Sequence, residues 1–212
     1  MQTETIKKHW EKIYTEKQAN EVSWTQEVPE TSLSFINSFN LNKSAAIIDI
    51  GGGDSKLVDH LLKEGFVNIT VLDISEASLE KAKKRLGNKA EKVKWVVADI
   101  NDYKPQQRYD VWHDRAAFHF LTTKKQVAHY LSLTEQSLSK NGYITIATFS
   151  ENGPEKCSGL PVKQYSETSL STQLNKHFQK IKCINEDHVT PFKTKQNFLF
   201  CSFRKKVHDQ KD

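Results

Sequence analysis

The sequence predicts an α/β protein: a doubly wound, mainly parallel seven-stranded sheet with helices on both faces and the last strand antiparallel. Three observations carry this. From residue 45 onward, short apolar runs alternate with stretches of helical period. The first run, Ala45-Ala46-Ile47-Ile48-Asp49-Ile50, breaks on Gly51-Gly52-Gly53 and passes into Leu57, Val58, Leu61 and Leu62 at helical spacing. The second, residues 68–73, ends in Asp73, about 20 residues beyond the glycines, where an acid can accept both hydroxyls of a ribose.

The elements follow in order. Ile6, Trp10, Ile13 and Tyr14 form the stripe of an amphipathic helix. Residues 20–26 are polar apart from Val22 and Trp24 and read as a loop. Pro29 suits the first position of a helix carrying Leu33, Ile36 and Phe39. The helix after the first strand ends near Gly65. Ser75 caps a helix bearing Leu79, Ala82 and Leu86. Residues 93–97 and 109–113 read as the third and fourth strands. Thr123 and Gln126 make a capping box for a helix with Val127, Tyr130, Leu131, Thr134 and Leu138 on one face, stopped by Asn141-Gly142. Residues 143–149 are the fifth strand. Ser166 caps a helix with Leu170, Leu174 and Phe178 four apart. Residues 181–184 and 198–203 are the last strands, an antiparallel pair. The organisation expected is a helical cap over residues 1–44, one domain over 45–204 and a polar tail over 205–212.

Composition narrows the function classes. The 212 residues carry a net charge of +5, with both signs dispersed, so a nucleic-acid partner is not expected. Mean hydropathy is −0.64, and no apolar run is long enough to cross a bilayer. The N-terminus lacks a signal-peptide core. The three cysteines, Cys157, Cys183 and Cys201, have neither C-x-x-C spacing nor an even count. Neither structural zinc nor a disulfide framework is expected, nor any other metal site. A cytoplasmic, reduced compartment and a monomer follow as expectations.

Strand, glycine turn and helix make a nucleotide-type cradle, since the helix N-terminus aims free N–H groups at the turn. A dinucleotide fingerprint needs G-x-G-x-x-G, but Lys56 stands at the third glycine. Asp54 stands where a pyrophosphate would sit and would repel it. A ligand with an ammonium, a ribose and an adenine but no phosphate suits such an acid-rich turn better.

Residues 48–55, Ile-Asp-Ile-Gly-Gly-Gly-Asp-Ser, resemble motif I of the class I S-adenosylmethionine (SAM)-dependent methyltransferases, D/E-x-G-x-G-x-G. Ser55 replaces the last glycine. Asp73 resembles the ribose-binding acid of that family, and Val97-Ala98-Asp99-Ile100 the segment whose acid meets the adenine amine. The resemblance implies a Rossmann-like fold, SAM as cofactor, and a SAM-binding methyltransferase domain over 45–204. It extends to bacterial methyltransferase-domain proteins and, loosely, to seven-strand protein-lysine methyltransferases. On this resemblance Asp49 and Gly51 lie under the methionine part, with Gly53, Asp54 and Ser55 near its polar end. Asp73 holds the ribose with Ile74 beside the adenine, and Asp99 and Ile100 complete the adenine site. Tyr14 and Trp24 can close over the sulfonium.

The fourth strand runs into Trp112-His113-Asp114-Arg115-Ala116-Ala117-Phe118-His119-Phe120-Leu121, facing the transferred methyl. It follows the D-K-G-x-x-D segment of the lysine enzymes loosely, with His119 at the final acid. His113, Asp114 and His119 are the catalytic candidates, the histidines as bases. Arg115 and Phe118 are the acceptor-side candidates, although Asp114 and Arg115 could equally be a structural ion pair. Residues 150–165 are either a substrate lid or a disordered insertion. Lys81, Lys83, Lys84 and Arg85 read as a solvated basic helix face. The acceptor is either a small molecule, in a closed pocket, or a protein, at an open charged rim around Arg115. Alternatives are an NAD(P)-dependent oxidoreductase and a SAM-binding module without turnover.

Overall fold

The computed structural model describes residues 2–207, so residues 208–212 of the expected tail lie outside the described residues. Strands β1 (Ala46–Ile50), β2 (Asn68–Asp73), β3 (Val93–Val97), β4 (Tyr109–Arg115) and β5 (Leu138–Phe149) form the parallel part of the sheet. A two-residue hairpin, β6 (Lys156–Cys157) with β7 (Leu160–Pro161), stands apart. Strands β8 (Phe178–Val189) and β9 (Lys195–Lys205) complete the sheet in the order β3-β2-β1-β4-β5-β9-β8. Only β9 is reversed; it pairs antiparallel with both β5 and β8.

Six α-helices flank the sheet: α1 (Gln2–Glu16), α2 (Glu30–Asn37), α3 (Leu57–Lys63), α4 (Glu76–Leu86), α5 (Lys124–Ser137) and α6 (Glu167–Leu174). Alternation along β1 explains the layering. Ile47 faces α2, α3 and α4 through Ile36, Leu61 and Leu79. Ile48 and Ile50 face α5 and α6 through Tyr130, Leu131, Leu170 and Leu174. Each such burial contributes roughly 1.5–3 kcal/mol. Ser75 accepts from the Ser78 N–H, and Thr123 and Gln126 form the capping box the sequence announces.

Several boundaries differ from the sequence reading. The helix before β5 stops at Ser137, and Leu138 opens a strand running through Asn141-Gly142. Phe178 belongs to β8: α6 ends at Leu174, and Phe178 reaches the same core as a strand residue. Residues 150–165 are ordered around the β6–β7 hairpin. The expectation of no disulfide is overturned. Cys183 and Cys201 are directly opposed in the β8–β9 ladder, with Cα atoms 4.1 Å apart, and are bonded. Cross-strand register, invisible in the spacing of 18 residues, brings them together.

Candidate functional site

β1 pairs with β2 on one side and β4 on the other, so the chain changes direction there and leaves a crevice beyond the strand ends. A cleft of about 1270 Å³ occupies it. Its floor is the β1–α3 turn. Gly51 has φ +63°, and a Cβ there would meet the Ala117 Cβ at 2.8 Å. Gly53 has φ +46°, and its Cβ would lie 3.0 Å from Asp73 Oδ2 and 3.1 Å from the Tyr14 hydroxyl. Both positions need glycine for backbone conformation and for room.

Arg85, on α4, grips this turn from behind. Its Nη1 donates to the Asp54 carbonyl at 2.7 Å and its Nη2 to the Ser55 carbonyl at 2.9 Å. The same guanidinium clamps Asp59 of α3. Arg85 stays on the exposed helix face the sequence predicts, and its hold on the turn is what that reading missed. Its signal was too weak to find, because the turn it holds lies about thirty residues earlier.

The acids converge on the cleft. Asp49, Asp54, Asp73 and Asp99 line it, with Gly51, Ser55, Ile74 and Ile100. Burial pushes Asp73 up to about 7, reinforced by Asp49 and Asp54 and opposed by the Ser75 N–H, which donates to Oδ1 at 2.8 Å. Burial also raises Asp54, against the pull of Arg85 and Lys81. Asp99 Oδ1 accepts from the Asn101 backbone and side chain. Clustered carboxylates repel phosphates and accept from hydroxyl and amine donors. The donor set therefore fits SAM, which offers a ribose, an amine and an ammonium, and fits a pyrophosphate poorly.

The wall opposite is aromatic. Trp10 and Tyr14 of α1 meet Trp24, with ring centroids 5.7 and 6.1 Å from it, and Trp10 meets Phe120 at 5.3 Å. Tyr14 and Trp24 both line the cleft, as does Trp10, whose role the sequence reading missed. The amphipathic stripe placed Trp10 one turn before Tyr14 and was the available signal. The hairpin adds Cys157, Leu160 and Pro161, and His9 reaches Ser158 at 3.3 Å across the roof.

The end of β4 divides its candidates. His113 lines the cleft, with Nδ1 2.7 Å from Asp49 Oδ1 and Nε2 2.9 Å from Ser32 Oγ on α2. Arg115 also lines it. Asp114 does not, because it alternates to the opposite face of β4 from His113 and Arg115, and neither do Phe118 and His119, which lie past the left-handed turn at Ala116, φ +69°. Asp114 is fully buried, accepting from the Tyr130 hydroxyl at 2.6 Å and from the Ala117 and Phe118 N–H groups. Burial raises it to about 6. It therefore braces the turn, and among the described residues it makes no ion pair with Arg115. Phe118 packs on Tyr130 and Tyr165 in the core, away from any acceptor. His119 packs between Phe120 and Phe149, away from the cleft lining, and burial, with Arg115 adding to it, depresses the ring to about 3 and keeps it neutral. Among the described residues no group of histidines, cysteines and acids could hold a metal ion, and no helix is long and apolar enough to cross a membrane.

Comparison with known families decides what the crevice belongs to. The profile of the methyltransferase-domain family matches residues 41–199, from just before β1 into the first part of β9. The chain belongs to that family. Its fold is that of the class I methyltransferases, and the cofactor of that class is SAM. A malonyl-[acyl-carrier protein] O-methyltransferase of Ilyobacter polytropus is 32% identical over 107 residues, half of this chain; the chain spans 40% of that relative's length. EEF1A lysine methyltransferase 2 of Danio rerio is 24% identical over 157 residues, covering 67% of each protein. The structure of 1,6-didemethyltoxoflavin-N1-methyltransferase of Burkholderia thailandensis, which holds S-adenosylhomocysteine, superposes with a TM-score of 0.67. That match has 20% identity and covers 92% of this chain and 81% of that one. The likeness at that identity is one of fold.

Proposed function

We propose that the protein transfers a methyl group from SAM to a small-molecule acceptor, with residues 1–44 acting as a cap over the 45–204 domain. The observation that carries the acceptor class is the enclosure of the cleft's far end. Trp10, Trp24, Phe120 and the β6–β7 hairpin line the cleft together with Arg115 and pack on one another across it, where a protein acceptor would need an open rim. A lysine acceptor is further disfavoured, because its ammonium would meet the Arg115 charge.

In this reading Asp73 accepts the ribose hydroxyls, Asp99 the adenine amine, and Asp54 with Ser55 the polar end of the methionine part. Asp49 lies beneath it and also orients His113. When bound, SAM supplies an activated methyl carbon open to in-line displacement. The chain's residues position the acceptor and exclude water. A proton leaving the acceptor reaches His113 through Ser32, since the other ring nitrogen is held by Asp49.

Isothermal titration with SAM, S-adenosylhomocysteine and NAD(H) tests the cofactor half. Binding of the first two without the third is expected, and binding of NAD(H) alone would sink the reading. Release of S-adenosylhomocysteine in the presence of acceptor candidates tests turnover, and its absence across a broad screen would leave a binding module instead.

A further inference from the structure

Arg115 carries an unused pair of donors at the closed end of the cleft. Its Nη1 donates to the Trp24 carbonyl at 3.0 Å. Nε and Nη2 are shielded from solvent and have no hydrogen-bond partner. Among the described residues no carboxylate ion-pairs with this guanidinium; Glu186 and Asp49 act on it only at longer range. Cys157 offers no counter-charge, since burial holds its thiol up at about 12. An unmatched buried cation with idle donors is costly, and nothing else in the fold uses it.

The geometry of the idle pair is informative. Nε and Nη2 form one edge of the guanidinium, the fork that matches a planar two-oxygen anion. The molecule shows that fork filled elsewhere: Arg85 gives Nε to Asp59 Oδ1 at 3.1 Å and Nη2 to Oδ2 at 2.8 Å. At Arg115 the same edge has no partner among the described residues, and the guanidinium Cζ lies 4.9 Å from the Phe198 ring centroid. Two histidines stand nearby, His119 and His188; burial and Arg115 itself keep both on the neutral side. Among the described residues Arg115 is thus the one cation here, its charge already offset in part by Glu186 and Asp49 from longer range, which suits a monoanion and not a phosphate dianion.

We propose that the Arg115 fork is the receptor for a carboxylate on the methyl acceptor. The inference rests on the methyltransferase reading of the cleft and deepens it, by making the acceptor a carboxylic acid. The carboxylate supplies both missing partners at once.

The test uses the full chain saturated with S-adenosylhomocysteine, titrated with malonate, hexanoate and benzoate, each beside its amide. At least one carboxylate is expected to bind at least tenfold tighter than its amide. Arg115→Gln should abolish that preference, and Arg115→Lys, which keeps the charge without the fork, should restore only part of it. S-adenosylhomocysteine affinity and the thermal midpoint, measured on each variant, confirm that it is folded and loaded. No preference for any carboxylate, or a preference that survives in Arg115→Gln, overturns the proposal while leaving the cofactor reading standing. Failure to bind S-adenosylhomocysteine at all would instead overturn that reading.

Discussion

The two ends of the cleft are built by opposite means. At the cofactor end, each proposed ligand group sits at or just past the end of a parallel strand, on a segment that is continuous in sequence: Asp49 with its glycine turn, Asp73, Asp99. At the acceptor end the partners come from across the chain. Arg115 meets the carbonyl of Trp24, 91 residues earlier, and His9 meets Ser158, 149 residues later. A cofactor common to a whole family can be held by local, strand-end chemistry. An acceptor peculiar to one protein is enclosed by segments that tertiary folding alone brings together.

That contrast can be broken or sharpened by substitution. The largest effect expected is structural and falls between the two ends. Asp114→Ala strands the Tyr130 hydroxyl and two buried N–H groups, a loss of about 3 kcal/mol or more in urea unfolding. A variant of unchanged stability with lost turnover would return Asp114 to the catalytic set. Asp73→Ala should weaken SAM by on the order of 1.5–3 kcal/mol per lost bond, with the fold intact by circular dichroism. Unchanged titration would remove Asp73 from the site.

The pH dependence of the same residue is a finer probe. With its native acidity pushed up to about 7, Asp73 is partly protonated at neutral pH, and the ribose hydroxyls favour the ionised form. SAM affinity should therefore rise as pH climbs through about 7 and level off above it. Without ligand the sign is reversed for stability. The native state holds a proton between about 4 and 7 that the unfolded chain has released, so this residue's contribution falls across that window as pH rises. Asp73→Asn should flatten both profiles.

Smaller effects follow at the periphery. Arg85→Gln loosens the glycine turn from behind and should raise the KM for SAM by a factor corresponding to about 1 kcal/mol, with kcat little changed. His119→Phe should leave turnover nearly unchanged while costing about 1 kcal/mol or more in unfolding, because the buried Phe149 N–H loses its acceptor at Nδ1. A large fall in kcat for that variant would restore His119 as a catalytic group.

The same contrast explains what could be read in advance. The sheet, the caps at Ser75 and Thr123, and the acids at the strand ends are written in local period and punctuation, so they were legible. Phe118 and His119 were misplaced because the left-handed turn at Ala116 gives no warning in an alanine, a residue that rarely adopts it, and Asp114 because alternation along β4 turns it to the core. Phe178 fitted a helical stripe and yet opens a strand. The Cys183–Cys201 bond depends on hairpin register, which composition does not encode. Arg85 and Arg115 are the same residue type in charged surroundings, and only the fold shows one fork filled and the other open.

Helix α1 pairs with no strand, yet it forms a wall of the cleft. It is tied down by side chains: Glu11 accepts from the Ala77 N–H, Lys81 donates to the Lys17 carbonyl, and His9 reaches Ser158. Such a segment can peel away without disturbing the sheet. Cofactor that packs against Trp10 and Tyr14 would then hold the helix shut, and product would leave as the helix detaches. Limited proteolysis over residues 17–29 becomes a clock for occupancy, with cleavage slowing in proportion to the fraction of molecules loaded.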